Sequence, residues 1–291
     1  MELMEAIVFF ESHPAAFMAS AFLLGLTVGS FLNVVIYRLP LMMERQWEEQ
    51  CAELHGKPQP EREPLTLSLP RSHCPACRRT IRAQENIPLF SYLLLRGRCR
   101  HCKAPISLRY PLVELLTGIL SIAVAWRFGV SWETMAALLL SYALITLTFI
   151  DFDHQLLPDN ITLPFLWFGL GLGLFEVFTD ARTSLIGAIT GYLSLWLVYH
   201  LFRLLTKKEG MGYGDFKLLA LLGAWLGWTM LPAIILLSSI VGALLGTAWL
   251  YLSSQHRETP IPFGPYLAAA GWLALMWGQD INQFYLSLTG R

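Results

Sequence analysis

Apolar residues run along this chain in long unbroken blocks, with neither the alternation of a half-buried strand nor the spaced stripe of a soluble helix. Eight blocks read as membrane spans, at residues 14–37, 111–128, 132–150, 161–178, 183–204, 216–229, 231–252 and 262–280. About 20 residues are needed to cross the hydrocarbon. The sixth block, FKLLALLGAWLGWT, is therefore short, and reads as less tilted or only partly embedded. Between the first two blocks, Arg38 to Arg109 is charged, proline-rich and cysteine-bearing. The pattern predicts an all-α polytopic membrane protein of about eight helices, with a small aqueous domain inserted after the first. The divisions expected are residues 1–37, 38–110 and 111–291.

Composition supports this. Apolar residues make up 55% of the 291 residues and charged residues only 14%, too few charges for a soluble chain of this length. The zero net charge gives no reason to expect a nucleic-acid partner; the lipid bilayer is the expected one. The acidic start, MELMEAIVFFESH, does not resemble a cleaved signal peptide, so the first block is expected to be retained. Placing the inserted domain in the cytoplasm puts 18 of 21 basic residues on that side. Thirteen of these lie in the domain itself, which is long for a loop-charge rule. The rest are Arg203, Lys207, Lys208, Lys217 and Arg257, against Arg127, Arg182 and Arg291 outside. Both termini are then expected on the outer face. Five G-x-x-x-G pairs, at Gly25/Gly29, Gly169/Gly173, Gly187/Gly191, Gly223/Gly227 and Gly242/Gly246, suit close helix packing.

Carboxylates next to such apolar runs are costly if they face lipid. Asp151 closes the third span in TFIDFDHQLLPD, and Asp215 opens the sixth in GMGYGDFK. Both are expected at one membrane face. Alone, Asp215 reads as a helix-start residue stabilised by free N–H groups, and Asp151 as a solvated loop residue. Together they suit peptide hydrolysis, in which two adjacent carboxyls share a proton, one activating water and the other donating to the scissile carbonyl. Gly210, Gly212 and Gly214 offer unusual backbone conformations or close approach. Asp153 and Asp159 read as structural, the latter as a helix cap.

Four of the five cysteines form Cys74-Pro-Ala-Cys77 and Cys99-Arg-His-Cys102. Two such knuckles match a closed four-thiolate structural zinc site. A redox pair or ordinary thiols are the alternatives, disfavoured by the expected cytoplasmic location. His73 and His101 flank the knuckles, and Cys51 reads as a free thiol.

IDFDHQLLPD (Ile150–Asp159) and GYGDFK (Gly212–Lys217) resemble the paired signatures of the type IV prepilin peptidases, the bacterial branch of the G-x-G-D intramembrane aspartic proteases. GSFLNVVIYRLP (Gly29–Pro40), the cysteine segment and ISLRYPLVELLTG (Ile106–Gly118) extend the resemblance over nearly the whole chain. The resemblance implies catalytic roles for Asp151 and Asp215, and an inner-membrane enzyme acting on type IV prepilins and pseudopilins. It also implies N-methylation of the new amino terminus with S-adenosylmethionine. No Rossmann fingerprint marks a donor site. Gly97, in LLRGRCRHC, permits close approach of such a ligand or is a turn beside the knuckle; Glu85 and Glu114 lie in the same family-like segment. An ion-coupled transporter with interfacial acids is the competing class, and a zinc-stabilised scaffold a third.

Overall fold

The computed structural model describes residues 2–58, 62–208, 210–252 and 262–288. Arg257 and Arg291, two of the cations used for orientation, lie outside the described residues. Regular structure among the described residues is helical, with only isolated bridges of the β kind. In order the helices are α1 (Glu2–Ser12), α2 (Pro14–Leu54), α3 (Phe90–Leu94), α4 (Arg109–Phe128), α5 (Trp132–His154), α6 (Asp159–Leu174), α7 (Ala181–Thr206), α8 (Tyr213–Leu226), α9 (Leu231–Leu252) and α10 (Gly264–Leu288). Among the described residues, five helical segments are long and apolar enough to cross a membrane: α2, α4, α5, α7 and Trp228–Ala248.

The chain divides into two compact units, Met1–Thr134 and Met135–Arg291. In the first, α2 and α4 form the main pair. Gly25 and Gly29 face Thr117, Gly118 and Ser121; a Cβ on Gly29 would sit 2.8 Å from the Glu114 Cα. Such backbone-to-backbone closeness is what small residues one turn apart permit. Contrary to the expected end at residue 37, α2 does not stop where its charges begin. Its 41 residues reach about 60 Å at 1.5 Å each, roughly twice the hydrocarbon thickness. Pro40 lies within the helix, and Met42–Leu54 is rich in helix formers that carry it on. Arg38 is not simply the first solvated cation of the inserted segment. It is buried, and its guanidinium donates to the carbonyls of Thr66 (2.9 Å), Leu67 (3.3 Å) and Pro70 (2.6 Å).

In the second unit, α8 is the core. It has only 14 residues, and ten of them, from Asp215 to Trp225, are buried. A 14-residue apolar helix is too short to span freely; here α6, α7 and α10 cover it. Gly187 and Gly223 each take the other's carbonyl oxygen where a Cβ would stand, so α7 and α8 touch backbone to backbone. Gly169 on α6 makes room for the Trp225 ring, whose Nε1–H donates to the Phe165 carbonyl at 2.8 Å. Asp180 caps α7, accepting from the N–H groups of Arg182 and Thr183 at 3.0 Å each. Several expected ends move: α6 stops at Leu174 rather than 178, and α8 at Leu226, before a 3-10 turn over Trp228–Met230.

Candidate active site and cysteine centre

Asp151 stands in the last turn of α5 and Asp215 in the first turn of α8, and both are buried, at 5% and 7% exposure. The structure brings them to one place: Leu157 packs against Gly214, which precedes Asp215, and against Gly264, whose Cβ position abuts Asp151 Oδ2. Asp151 Oδ2 accepts a hydrogen bond from the Gly264 N–H at 3.1 Å, where α10 begins. The site is thus assembled from the end of α5 and the starts of α8 and α10. Apolar packing fixes the frame. Leu157, in the link from α5 to α6, is buried between Gly214 and Gly264. Phe216, fully buried, is ringed by Tyr192, Tyr199 and Tyr213 at centroid distances of 5.8, 5.6 and 5.3 Å. These contacts hold the first turn of α8, and with it Asp215.

The glycine loop works by close approach rather than by backbone conformation. None of Gly210, Gly212 and Gly214 has positive φ. A Cβ on Gly210 would lie 2.8 Å from the Phe202 ring, and one on Gly214 would lie 2.8 Å from Leu157 Cβ. Asp159 is not a cap: Pro158 holds the N-cap position of α6 without a side-chain bond. Instead Lys217 Nζ donates to both Asp159 carboxylate oxygens at 2.7 Å, tying α6 to the helix that carries Asp215. Asp153 and His154 are exposed. Sequence reading missed Gly264. Its one local signal is a glycine between Phe263 and Pro265 at the head of an apolar block.

The four predicted cysteines also come together. Their sulfurs all lie within 4.8 Å of one another, and Cys74 and Cys102 are 3.7 Å apart. Tetrahedral zinc with Zn–S near 2.3 Å sets sulfurs about 3.8 Å apart, so the donor set fits such an ion. The two knuckles repeat one backbone design. The Cys74 N–H donates to Arg79 and the Arg78 N–H returns to Cys74, at 2.9 and 2.8 Å. The same pair links Cys99 with Ala104 and Lys103, at 2.8 and 3.0 Å. Backbone N–H groups of Cys102 and His101 pull the Cys99 thiol down to about 6. The Ala104 N–H also pulls on Cys102, but burial and neighbouring sulfurs outweigh it and push that thiol up to about 11. One thiolate thus forms readily at neutral pH, while another holds its proton until a cation displaces it. His73 and His101 are not in the cluster; His101 Nδ1 lies 2.8 Å from Arg79. Cys51 is a free, exposed thiol. Gly97 sits in a left-handed turn, φ +66°, with the Tyr92 hydroxyl 2.7 Å from where its Cβ would be. That turn accounts for the glycine without a ligand.

Two family descriptions match the chain: the bacterial peptidase A24 N-terminal domain over residues 23–128, and the type IV leader peptidase family over residues 138–247. The chain belongs to the type IV leader peptidase family. It is 57% identical over 284 residues to a prepilin leader peptidase/N-methyltransferase of Stutzerimonas stutzeri, covering 97% of this chain and 98% of that protein. The Pseudomonas aeruginosa protein of the same name is 56% identical over 288 residues, 99% of each chain. The one from Legionella pneumophila is 49% identical over 265 residues, 91% of this chain and 92% of that protein. No solved structure gives a significant match.

Proposed function

We propose that this chain is a membrane aspartic peptidase that removes the leader from type IV prepilins and pseudopilins and N-methylates the amino terminus it exposes. The observation that carries the reading is the meeting of two buried carboxylates, from α5 and α8, in a chain of the leader peptidase family. A proton shared between Asp151 and Asp215 leaves one carboxylate to draw a proton from water and one acid to donate to the scissile carbonyl oxygen. The Gly264 N–H orients the Asp151 carboxylate for that exchange, and Leu157 and the tyrosine cluster keep the two acids in register. Prepilin precursors carry a short basic leader followed by an apolar helix. In this reading the apolar helix lies against the membrane spans, and the leader stays in the aqueous phase.

Orientation follows from charge. Lys207, Lys208 and Lys217 lie at the pole of the second unit that holds the two aspartates, which we assign to the cytoplasmic face of the inner membrane. With eight crossings, counting the shorter α6 and α8 and the kinked α10, both termini reach the periplasm. The four cysteines would hold a structural zinc ion, whose closed shell leaves no position for catalysis. S-adenosylmethionine is the methyl donor in this reading, and Gly97, already covered by Tyr92, is given no part in holding it. The transporter reading lacks support: the acids stand at helix ends, in a family of peptidases.

The test is to incubate purified full-length protein with a prepilin and S-adenosylmethionine and read the product's amino terminus by mass spectrometry. Leader loss followed by gain of one methyl group is expected. An intact precursor, with the protein correctly inserted, would overturn the reading.

A further inference from the structure

We propose that α3 is a membrane foot, lying in the interfacial layer where α4 enters the bilayer and tying the cysteine module to anionic lipid headgroups. The proposal rests on the membrane reading of α4. Phe90, Leu93 and Leu94 share one face of α3, at the spacing that stacks side chains over one turn, and are 60, 71 and 82% exposed. Leu108, just ahead of α4, is also exposed, at 65%. The other side of α3 is fixed to the module. Ser91 is buried and its hydroxyl donates to the Gln84 carbonyl at 2.9 Å, while Tyr92 packs on Gly97. The foot therefore cannot roll its apolar face inward.

Its depth is set by one hydrogen bond. The Leu89 N–H, at the head of α3, donates to Glu114 Oε2 at 2.8 Å. Glu114 lies five residues into α4, about 7 Å along the axis at 1.5 Å per residue. The 20 residues of α4 are about 30 Å long and just match the hydrocarbon. α3 thus begins within the roughly 5–10 Å layer that interfacial helices occupy. Leu89 takes a positive φ, +59° with ψ −48°, to make this turn, which a leucine rarely adopts. On α4 itself Leu112, Leu115 and Leu116 are exposed, apolar side chains that face lipid in this reading.

Charge selects the occupant. Arg96, Arg98 and Arg100 follow α3 and are exposed; of these, Arg100 pairs with Glu85 at 3.3 Å. Apolar side chains with arginines beside them suit a leaflet of anionic lipid, each cation near the surface adding to the attraction. A basic leader peptide would be repelled from the same place.

The test places a fluorescent amino acid at position 94 of the full-length protein, in nanodiscs of phosphatidylcholine with or without phosphatidylglycerol. Nitroxide lipids labelled near the headgroup should quench it strongly and aqueous iodide weakly, with the reverse at position 49. Strong iodide quenching at 94, or quenching by neither, would overturn the foot. A probe at position 116 should be quenched by deeply labelled lipid; if it is not, the membrane reading of α4 has failed instead. Replacing both arginines (Arg96→Gln, Arg98→Gln) should lower quenching at 94 in phosphatidylglycerol discs to the level in pure phosphatidylcholine. No change would refute the headgroup contact.

Discussion

Gly264→Ala adds one methyl group at the place where the site is least forgiving. The new Cβ would stand 2.6 Å from Asp151 Oδ2, closer than real Cβ atoms come, with Leu157 Cδ1 at 3.2 Å on another side. Leu157 is buried and has little room to yield, so the carboxylate must rotate and give up the Gly264 N–H. A hydrogen bond to a charged group contributes about 1.5–3 kcal/mol. If it orients Asp151 in the transition state, its loss slows turnover about 10- to 150-fold, at about 1.4 kcal/mol per decade. Initial rates of leader loss, measured over a range of prepilin concentrations, should show that fall in kcat with KM little changed. Gly171→Ala is the control, because nothing lies within 4 Å of its Cβ position on α6. Turnover by Gly264→Ala within about twofold of wild type, far short of one decade, would refute the positioning argument.

Cys74→Ser should remove one of four ligands, abolish stoichiometric zinc in metal analysis, and impair methyl transfer more than proteolysis; full methylation without bound metal would count against the zinc site. Because the metal requires thiolates, protons compete with it, and wild-type metal content should hold at neutral pH and fall on acidification. Gly187→Val drives a side chain into the Gly223 carbonyl and should cost about 3 kcal/mol as overpacking, seen as a lower midpoint in detergent thermal unfolding. Lys217→Met breaks an ion pair whose side chains are 29% and 49% exposed. Pairs so exposed contribute about 0–1 kcal/mol, so cleavage should slow by less than about tenfold.

What the sequence made legible was what single residues announce. Unbroken apolar blocks gave the helical class, C-x-x-C spacing gave the four sulfurs, and two acids beside apolar runs gave the buried pair. What it hid depends on partners distant in the chain. Gly264 reaches Asp151 across 113 positions, and no local pattern shows that a backbone N–H will be aimed at a carboxylate. The charged segment after Tyr37 reads as the start of a separate domain, yet α2 runs through it to Leu54. Charge marks where solvent begins, not where a helix ends. Arg38 shows the same limit, since its three carbonyl partners lie 28 to 32 residues ahead in an irregular loop. That the short apolar block of α8 is enclosed by α6, α7 and α10 is shown only by those neighbours. Of the three glycines before Asp215, Gly210 and Gly214 serve close contacts, with Phe202 and Leu157, that no local pattern shows.

In the proposed mechanism Asp151 and Asp215 act as one unit. The direct measurement is single-turnover leader cleavage by Asp151→Asn, Asp215→Asn and the double variant, each shown to be inserted and to bind prepilin. Groups that share one proton are not additive, so each single variant should already fall to the rate of the double. Cleavage near the wild-type rate by either single variant, or losses that multiply in the double, would contradict it.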